Sequence, residues 1–438
     1  MLKHNTCHLA AVLVLVTGLA SADTYTPEAL SSGRADPSLH LQQGSTQTEA
    51  QRINEVSYMA TGFGNSFMVV TGAGNVVIDT SLRSMAQHHR QLLGAVDDGP
   101  IHSIILTHGH GDHTGGVDLW KQPDTRVIGQ RNMVEFLHYQ QRLEGIFNQR
   151  NRAQFGFALD AGQSQAATVQ NFAAPMLPDT LFDDHMAFTL GDVEFELIHT
   201  PCETDDALTV WLPQYKTAFV GDLYYAAFPN IYTLRGTKPR WALDYVASID
   251  RVLALEPEIL LPGHGAPIRG KEAIRSALTH YRDAIQYVHD QTVIGMNQGK
   301  NVYTLMREIK LPESLQMSEA YGRIAWSVRG IYEGYMGWFD GNPVNMYDLP
   351  PEGIYPDLVA LAGGSQAVID QARVALEQND KVKALRLLDA ALSAAPDDRE
   401  ALNLKLQILV QLRRQSSNLN ESGWLNYGIN STRQQLGD

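Results

Sequence analysis

Short apolar runs alternate with turn-forming residues between about positions 55 and 290 of the chain. Residues 66–71 and 75–80 are rich in β-branched and apolar side chains, and Gly72-Ala73-Gly74 between them predicts a hairpin. Four further runs have the length and composition of strands, namely 101–107, 193–199, 208–212 and 218–220. Two longer stretches favour helices, 119–147 and 242–255. Strands mixed with helices predict a layered domain of the α/β or α+β class.

The last third of the chain has a different pattern. Residues 291–360 are rich in aromatic side chains, Gly and Met, and residues 364–415 are rich in Ala and Leu. One apolar stripe at helical spacing comprises Ala384, Leu387, Leu388, Ala391 and Leu392. Ala395-Pro396-Asp397 predicts the end of one helix and the start of the next. We therefore expect helices packed as hairpins, similar to a single tetratricopeptide unit, and interpret the stripe as core packing rather than as a ligand site.

The N-terminus has the pattern of a secretory signal peptide. Lys3 precedes an apolar run at 9–19, and Ala20-Ser21-Ala22 offers a cleavage site of small residues. The run is shorter than the roughly 20 apolar residues that a spanning helix needs, so we expect cleavage and no stable membrane insertion. The expected location is periplasmic or secreted, with residues 1–22 as the signal peptide and the polar residues 23–50 as an N-terminal arm.

The charge and cysteine content of the chain indicate which partners and which metal ligands can be expected. The chain carries 34 Lys and Arg against 48 Asp and Glu, a formal charge of −14. No nucleic-acid partner is expected, because binding a polyanion needs a basic surface. Of the two cysteines, Cys7 lies in the predicted signal peptide. The other, Cys202, has no partner for an internal disulfide or a thiolate site, so any metal must be bound by histidine and carboxylate.

A cluster of ligand-type residues follows directly on the predicted strand at 101–107. Residues 107–116 read THGHGDHTGG, so that three His and one Asp fall within six positions. Imidazole and carboxylate are ligands for zinc-like ions, and the interspersed glycines let the backbone turn tightly enough for the side chains to converge. A lone histidine is usually structural, but four such residues at this spacing after a strand predict a metal site.

This stretch resembles the H-x-H-x-D-H motif of the metallo-β-lactamase superfamily, and three later segments resemble that superfamily's other ligand turns. They are 199–206 (HTPCETDD), 220–222 (VGD) and 261–265 (LPGHG). Glu203 stands where His is more common. The four segments occur in the expected order within about residues 55–270. The resemblance implies an αββα sandwich.

Within that superfamily the chain looks like a bacterial alkyl sulfatase. Residues 230–236 (NIYTLRG) are similar to the N-L-Y-T-L-R-G stretch of that family, and residues 334–343 (GYMGWFDGNP) are similar to its dimerisation domain. Residues 150–156 also look like a family segment. Asp222 stands where the family more often has Glu. Larger members carry a C-terminal sterol-carrier-like domain, which we expect this chain to lack.

The resemblance implies a fold of the α+β class. A metallo-β-lactamase-like catalytic domain is expected at 51–290, followed by an all-α dimerisation domain at 291–438 that contains the repeat-like helices. A homodimer is implied in the same way.

The resemblance also implies two zinc ions per chain. The implied ligands are His108, His110 and Glu203 for one ion, Asp112, His113 and His264 for the other, and Asp222 as the bridge. Two dications held about 3.5–4 Å apart can share one hydroxide, and zinc lowers the pKa of bound water toward about 7. Asp112 and Asp222 are therefore the expected catalytic carboxylates. Asp79, at the end of another strand, is expected to anchor a loop.

The implied reaction is hydrolysis of a small alkyl sulfate to an alcohol and inorganic sulfate. Arg235 suits the sulfate head because a guanidinium fork can donate two hydrogen bonds to oxyanions. Asn230, Lys238 and Arg240 lie close to it in sequence and could assist in binding the sulfate, so Asn230 and Lys238 join Arg235 as expected substrate-binding residues. Four candidates could line an apolar groove or belong to the core, namely Phe155, Phe157, Tyr224 and Phe228. Whether the S–O or the C–O bond breaks stays open.

Two other functions are compatible with the sequence. The first is another dinuclear hydrolase of the same fold, acting on a lactone, β-lactam, thioester or phosphate ester. The second is a non-catalytic periplasmic interaction protein whose helical C-terminus recruits a partner. We favour an enzyme because every expected ligand position carries a ligand-type residue.

Overall fold

The computed structural model describes residues 43–159 and 176–437. Within these ranges, two mixed sheets of seven and six strands are followed by a helical region. The predicted signal peptide (1–22) and most of the predicted arm (23–50) lie outside the described residues. None of the helices in the described ranges is long and apolar enough to cross a membrane.

The first sheet contains seven strands that pair in chain order. They are β1 Gln51–Arg52, β2 Ser57–Ala60, β3 Ser66–Thr71, β4 Gly74–Ile78, β5 Ile101–Ile105, β6 Arg126–Gln130 and β7 Thr180–Phe182. Strands β1 to β4 are antiparallel, and β4 to β7 are parallel. The predicted hairpin joins β3 to β4, and Gly74 takes a backbone φ of +123° that favours glycine.

The second sheet has the strand order β13-β12-β11-β10-β9-β8. Its strands are β8 His185–Leu190, β9 Val193–His199, β10 Leu208–Leu212, β11 Thr217–Gly221, β12 Ile259–Pro262 and β13 Ile268–Arg269. Strands β11 and β12 are parallel, whereas the other pairs of this sheet are antiparallel. The carboxyl ends of β11 and β12 therefore open at the same edge.

Helices cover the outer face of each sheet. The helices in this part of the chain are α1 Arg83–Gly94, α2 Gly111–Thr114, α3 Val117–Trp120, α4 Asn132–Arg142, α5 Glu144–Leu159, α6 Ala242–Ala254 and α7 Lys271–Asn297. Between the sheets, Phe67 and Val76 of the first pack with Val210 and Phe219 of the second in one apolar core. Helices α1, α3 and α4 cover the first sheet, and α6 and α7 cover the second. This is the predicted αββα arrangement.

The helix predicted at 119–147 is wrong in part. Pro123 and Asp124 interrupt it after α3, and Val127 and Ile128 then lie in β6, fully buried inside the first sheet. A short apolar run can form either a buried strand or part of a helix. Here it forms a strand because it pairs with β5. The helical pattern resumes only with α4 and α5.

The C-terminal region is helical, as predicted. Its helices are α8 Val302–Glu308, α9 Ile324–Met336, α10 Tyr355–Leu361, α11 Ser365–Glu377, α12 Lys381–Ala394, α13 Arg399–Gln415 and α14 Leu419–Leu436. The predicted stripe is core: Ala384, Leu388 and Ala391 are fully buried among α11 to α13. Helices α8 and α9 share a core with α7, which runs across the predicted domain boundary at 290/291. Helix α14 returns to pack on α5.

Candidate metal centre

The centre is built on the loop between β5 and α2. His108 is fully buried in this loop and His110 is nearly so. Gly109 between them is required by packing, because a Cβ there would lie 2.5 Å from the ring of Phe136 on α4. The loop therefore holds two imidazoles inside the protein rather than in solvent.

Ligand-type side chains converge here in two groups of three. The groups are His108, His110 and Asp222, and Asp112, His113 and His264, each with its ligand atoms within 4.8 Å of one another. Asp222 faces both groups. Its Oδ2 atom lies 3.4 Å from His108 Nε2. Its Oδ1 atom lies 3.2 Å from Nε2 of both His113 and His264, which is the position expected of a bridge.

Glycines let these distant parts of the chain meet. Asp222 follows β11 and His264 lies just beyond β12, at the edge where these parallel strands end. Gly221 has a φ of +51°, and a Cβ there would lie 2.7 Å from Thr107 Oγ1. A Cβ at Gly263 would lie 2.7 Å from Asp222 Oδ1. A larger residue at either position would push one strand end away from the site.

Asp79 supports the site from behind without belonging to either group. It follows β4, where it has a φ of +55°, and is fully buried. Its Oδ1 accepts from Thr107 N–H at 2.8 Å, and its Oδ2 accepts from Thr107 Oγ1 at 2.7 Å. The same Oδ2 lies 2.8 Å from His113 Nδ1, so His113 presents Nε2 to the cluster. Asp79, which was expected to anchor a loop, thus also orients the imidazole of His113. In the sequence, the position of Asp79 at a strand end was the sole indication of this role.

Charge complementarity keeps the clustered carboxylates ionised. Burial by itself would raise the pKa of Asp222, but the neighbouring imidazoles, above all that of His113, lower it well below its usual range. The pKa of Asp112 is lowered against burial by His113 and His264. Burial would lower the pKa of His113, whereas the carboxylates of Asp222 and Asp112 raise it well above its ordinary value. Anionic oxygens and imidazoles at this range suit a bound cation.

Glu203 lies beside the first group rather than within it. Its Oε2 is 2.7 Å from Arg240 Nη1 and 3.8 Å from His110 Nδ1. Arg240, which the sequence suggested as a sulfate contact, is therefore paired with this carboxylate inside the protein. Glu203 Oε1 is buried without a hydrogen-bond partner.

The donor set fits zinc-like ions. Imidazole nitrogens and carboxylate oxygens are the ligands that zinc takes when no thiolate is available, and Cys202, though buried nearby in sequence, is not in either group. Glu203 Oε1 and Asp222 Oδ1 are among the buried carboxylate oxygens that lack hydrogen bonds. Buried acceptors without donors are costly, and a bound cation would satisfy them.

Arg235 reaches the first group from the loop between β11 and α6. Its Nη2 lies 3.2 Å from His110 Nε2, and its side chain lines a cleft together with His110, Asp112 and Asp222. Burial and the nearby Arg240 lower the pKa of Arg235, but a guanidinium stays charged in proteins. Burial, then the neighbouring His108 and Arg235, hold the pKa of His110 well below its ordinary value, so this imidazole is neutral.

The other two predicted substrate residues lie elsewhere. Lys238 sits over the ring of Tyr139, 4.9 Å from its centroid, and its Nζ is 3.8 Å from Asp205 on the rim of a separate cavity. Asn230 is buried, and its carbonyl accepts from Arg240 Nη1 at 2.7 Å. Neither is among the described residues that line the cleft. The sequence neighbours of Arg235 therefore do not share its position.

Two adjoining pockets open at the site. One, of about 640 Å³, contains Arg235 and the ligand-type residues, with Phe155 on its wall. The other, of about 600 Å³, is mainly apolar and lies against His264. Phe63 and Tyr321 line both pockets, and no sequence motif marked either residue. A polar cleft thus continues into an apolar one.

The remaining groove candidates have other positions. Phe228 is fully buried in the core, and Tyr224 is half-buried against Tyr281, with ring centroids 5.1 Å apart. The side chain of Phe157 lies outside the described residues.

Comparison with known proteins identifies the family. Residues 59–264 match the metallo-beta-lactamase superfamily, and residues 302–435 match the alkyl sulfatase dimerisation family. A linear primary-alkylsulfatase from a Pseudomonas species is 32% identical over 380 residues, which cover 82% of this chain and 72% of the relative. The chain belongs to the alkyl sulfatase family. The predicted family and fold class are thereby confirmed.

Two further alkyl sulfatases are similar to this family member. An (R)-specific secondary-alkylsulfatase from Pseudomonas sp. is 27% identical over 73% of this chain and 52% of the relative. The solved structure of the stereoselective inverting sec-alkylsulfatase from Pseudomonas sp. has a TM-score of 0.79 at 24% identity, covering 89% of this chain and 66% of that one. The fold is therefore shared along most of the chain, which spans only part of the length of each relative.

Proposed function

We propose that this alkyl sulfatase family member hydrolyses alkyl sulfate esters to an alcohol and inorganic sulfate at a site that holds two zinc ions. The position of Arg235 carries the proposal: its Nη2 is 3.2 Å from His110, in the cleft that also contains Asp112 and Asp222. A fixed guanidinium beside a metal-type donor set gives an anionic ester a specific partner, which a neutral ester or lactone would not need.

The pockets suit the two ends of such a substrate. Arg235 would donate two hydrogen bonds to the sulfate oxygens in the polar cleft. The alkyl chain would enter the adjoining apolar pocket between Phe63 and Tyr321, where each buried methylene contributes about 0.8 kcal/mol. The names of the related enzymes, a linear primary-alkylsulfatase and a secondary-alkylsulfatase, support this substrate class.

The two groups of ligand-type residues would hold the metal. Zinc bound there would supply a nucleophile at neutral pH, because it lowers the pKa of water toward about 7. Asp222 would keep the two groups at a fixed separation, since its two oxygens face His108 and His264 from opposite sides of one carboxylate. Asp79 would hold the His113 ring in the orientation that turns Nε2 toward the site.

We also propose that the protein is a homodimer. The segment from α9 to α10 exposes large apolar side chains, among them Trp338 (76% exposed), Tyr347 (73%) and Leu361 (85%). An apolar surface of this extent usually marks an interface. A second copy of the chain is the expected partner, because the segment falls within the match to the alkyl sulfatase dimerisation family.

The substrate class can be tested with a panel of purified compounds. Inorganic sulfate released from dodecyl sulfate is measured by ion chromatography, beside hydrolysis of a lactone, a β-lactam, a thioester and a phosphate monoester. We expect the sulfate ester to be turned over much faster than any other compound of the panel. The variant His110→Ala should lose zinc and activity while its far-ultraviolet circular dichroism is retained.

Two results would overturn the proposal. Hydrolysis of the lactone or the β-lactam with dodecyl sulfate left intact would favour another dinuclear hydrolase. No bound metal and no turnover of any compound after zinc is added would favour the non-catalytic interaction protein.

A further inference from the structure

A side chain from a different element holds the loop that carries Arg235. The residues around Arg235 form turns, and Gly236 has a left-handed backbone with a φ of +103°. Arg150 on α5 donates from Nε to the Arg235 carbonyl at 2.6 Å and from Nη2 to the Leu234 carbonyl at 2.5 Å. The guanidinium of Arg150 therefore binds two successive backbone carbonyls of a segment that belongs to neither a helix nor a strand.

We infer that Arg150 is a positioning residue, which fixes the backbone of Arg235 so that its guanidinium faces the anionic head of the substrate. Arg150 is not among the described residues that line the cleft, so it acts through Arg235. The inference rests on the proposed function, because it assigns Arg235 to the sulfate group.

Helix α14 fixes Arg150 from behind. The guanidinium carbon of Arg150 lies 5.2 Å from the ring centroid of Trp424. Trp424 Nε1 donates to Gln154 Oε1 at 3.2 Å, one turn further along α5. Gln154 Nε2 donates to Asn420 Oδ1 at 2.8 Å and to Thr233 Oγ1 at 3.3 Å. The network thus joins α14, α5 and the Arg235 loop.

The network is buried, and its elements approach very closely. Gln154, Asn420 and Thr233 are fully buried, so their polar groups depend on one another for hydrogen bonds. A Cβ at Gly423 would lie 1.7 Å from the carbonyl oxygen of Gln154, which shows that the α14 backbone touches α5. Helix α5 therefore has little freedom to shift at the place from which Arg150 reaches the loop.

Fixing the backbone matters because the Arg235 side chain is long and flexible. Its guanidinium can meet the sulfate oxygens repeatedly only if the Cα atom stays in place, and a misplacement of about 1 Å can cost about 100-fold in rate. The metal-type residues are held by other loops, so a shift of the Arg235 loop affects the anion and leaves the metal sites intact. A residue with a merely structural role would affect both.

The test compares Arg150→Met, Arg150→Lys and the matched control Arg152→Met, which changes an exposed arginine on the same helix. Binding of inorganic sulfate to the zinc-loaded protein is measured by calorimetry, together with KM and kcat for dodecyl sulfate and zinc content. We expect Arg150→Met to weaken sulfate binding and raise KM about tenfold, the effect of losing one charged hydrogen-bonding group. Zinc content should not change, Arg150→Lys should recover part of the loss, and Arg152→Met should match the wild type.

Unchanged sulfate binding and KM in Arg150→Met would overturn the inference. So would a loss of zinc or of thermal stability that accounts for the whole effect. A wild-type protein that binds inorganic sulfate but releases none from esters would contradict the proposed function instead, and the comparison of sulfate binding among the variants would still decide the role of Arg150.

Discussion

Arg235 brings a positive charge into a cleft whose other titratable lining residues, among those described, are His110, Asp112, Asp222 and Tyr321. Its neighbours in sequence have different roles in the structure, since Arg240 neutralises Glu203 and Lys238 lies over Tyr139. Among the described residues that line the cleft, Arg235 therefore supplies the guanidinium that can recognise an anionic head. This makes Arg235 the residue at which substrate specificity can be separated from metal binding.

Replacing Arg235 tests this separation directly. We expect Arg235→Ala to lower kcat/KM for dodecyl sulfate by about 100-fold or more, the range seen when a fixed oxyanion partner is removed. Hydrolysis of a neutral ester should change only slightly, and zinc content should stay the same. Steady-state kinetics on both substrates make the measurement. Equal losses on both substrates would show that Arg235 has no specific role toward sulfate.

For individual residues, the sequence predicted those that lie in one local motif, but not the contacts between residues from distant segments. His108, His110, Asp112 and His113 come together because they share one turn, so their spacing was sufficient. Asp222 and His264 needed the additional knowledge that β11 and β12 are parallel neighbours. The partner of Arg240 and the place of Tyr321 in the cleft depend on contacts between distant segments, which no local pattern encodes.

At the scale of elements, the loop between β2 and β3 supports the metal-type residues. Gly64 in this loop packs on the backbone of Asp112, where a Cβ would lie 2.0 Å from the carbonyl oxygen. His89 on α1 holds the same loop, with Nε2–H donating to Thr61 O at 3.0 Å and Nδ1 accepting from Ser66 Oγ at 2.9 Å. The loop thus connects α1 to the start of α2.

Gly64→Ala should disturb this contact. The added methyl group cannot fit against backbone, so we expect a loss of about 1–3 kcal/mol in the free energy of unfolding and weaker zinc binding. Gly72→Ala is the matched control, because its Cβ would meet no atom within 4 Å. Denaturant unfolding and zinc titration make the measurement. If both alanine variants behave alike, the close approach of the loop to Asp112 has no energetic role.

His89 should make stability depend on pH. Burial lowers its pKa to about 4 from 6.5, so the unfolded chain takes up a proton first as the pH falls. The free energy of unfolding therefore falls as the pH drops from 6.5 to 4. For His89 alone, the loss between pH 7.5 and pH 5 is about 2 kcal/mol. We expect His89→Gln to remove this part of the pH dependence and His88→Gln, on the same helix, to keep it. Urea unfolding at several pH values checks the difference, and equal slopes for the two variants would refute it.

The sequence predicted element type well where the period was long and regular. The helical stripe at Ala384 to Leu392 and the hairpin around Gly72 required only local information. The stretch at 119–147 did not, because Val127 and Ile128 become a strand only when β5 offers an edge to pair with. The return of α14 onto α5 is a contact between segments more than 250 residues apart in the chain, exemplified by Gln154 and Asn420.

At the scale of the whole molecule, the two-layered sandwich presents the site at one edge, and the helical region supplies part of its wall. Tyr321 and Leu419, both within the dimerisation match, line the apolar pocket beside His264. The proposed catalytic site is therefore completed by the region that we propose to form the dimer. The change to a helical C-terminal region was predictable from the sequence pattern, but this shared wall was not.

The proposed dimer can be tested by adding charge to its exposed apolar segment. We expect the double variant Trp338→Glu, Tyr347→Glu to weaken dimerisation at least about tenfold, since aromatic residues dominate interface energies. Val382→Glu, at another exposed apolar position, should leave the dimer intact. Sedimentation equilibrium gives the masses, with circular dichroism as the control for folding. A wild-type protein that is monomeric, or a double variant that stays dimeric, would show that this segment is not the interface.

The most direct measurement is a zinc titration of chelator-treated protein, with bound zinc and sulfate release from dodecyl sulfate recorded in the same samples. The two groups around Asp222 predict that activity is absent without metal, rises with added zinc and reaches its maximum when two ions are bound per chain. Sulfate release that persists after the metal is removed, or that stays absent when two ions are bound, would contradict the account.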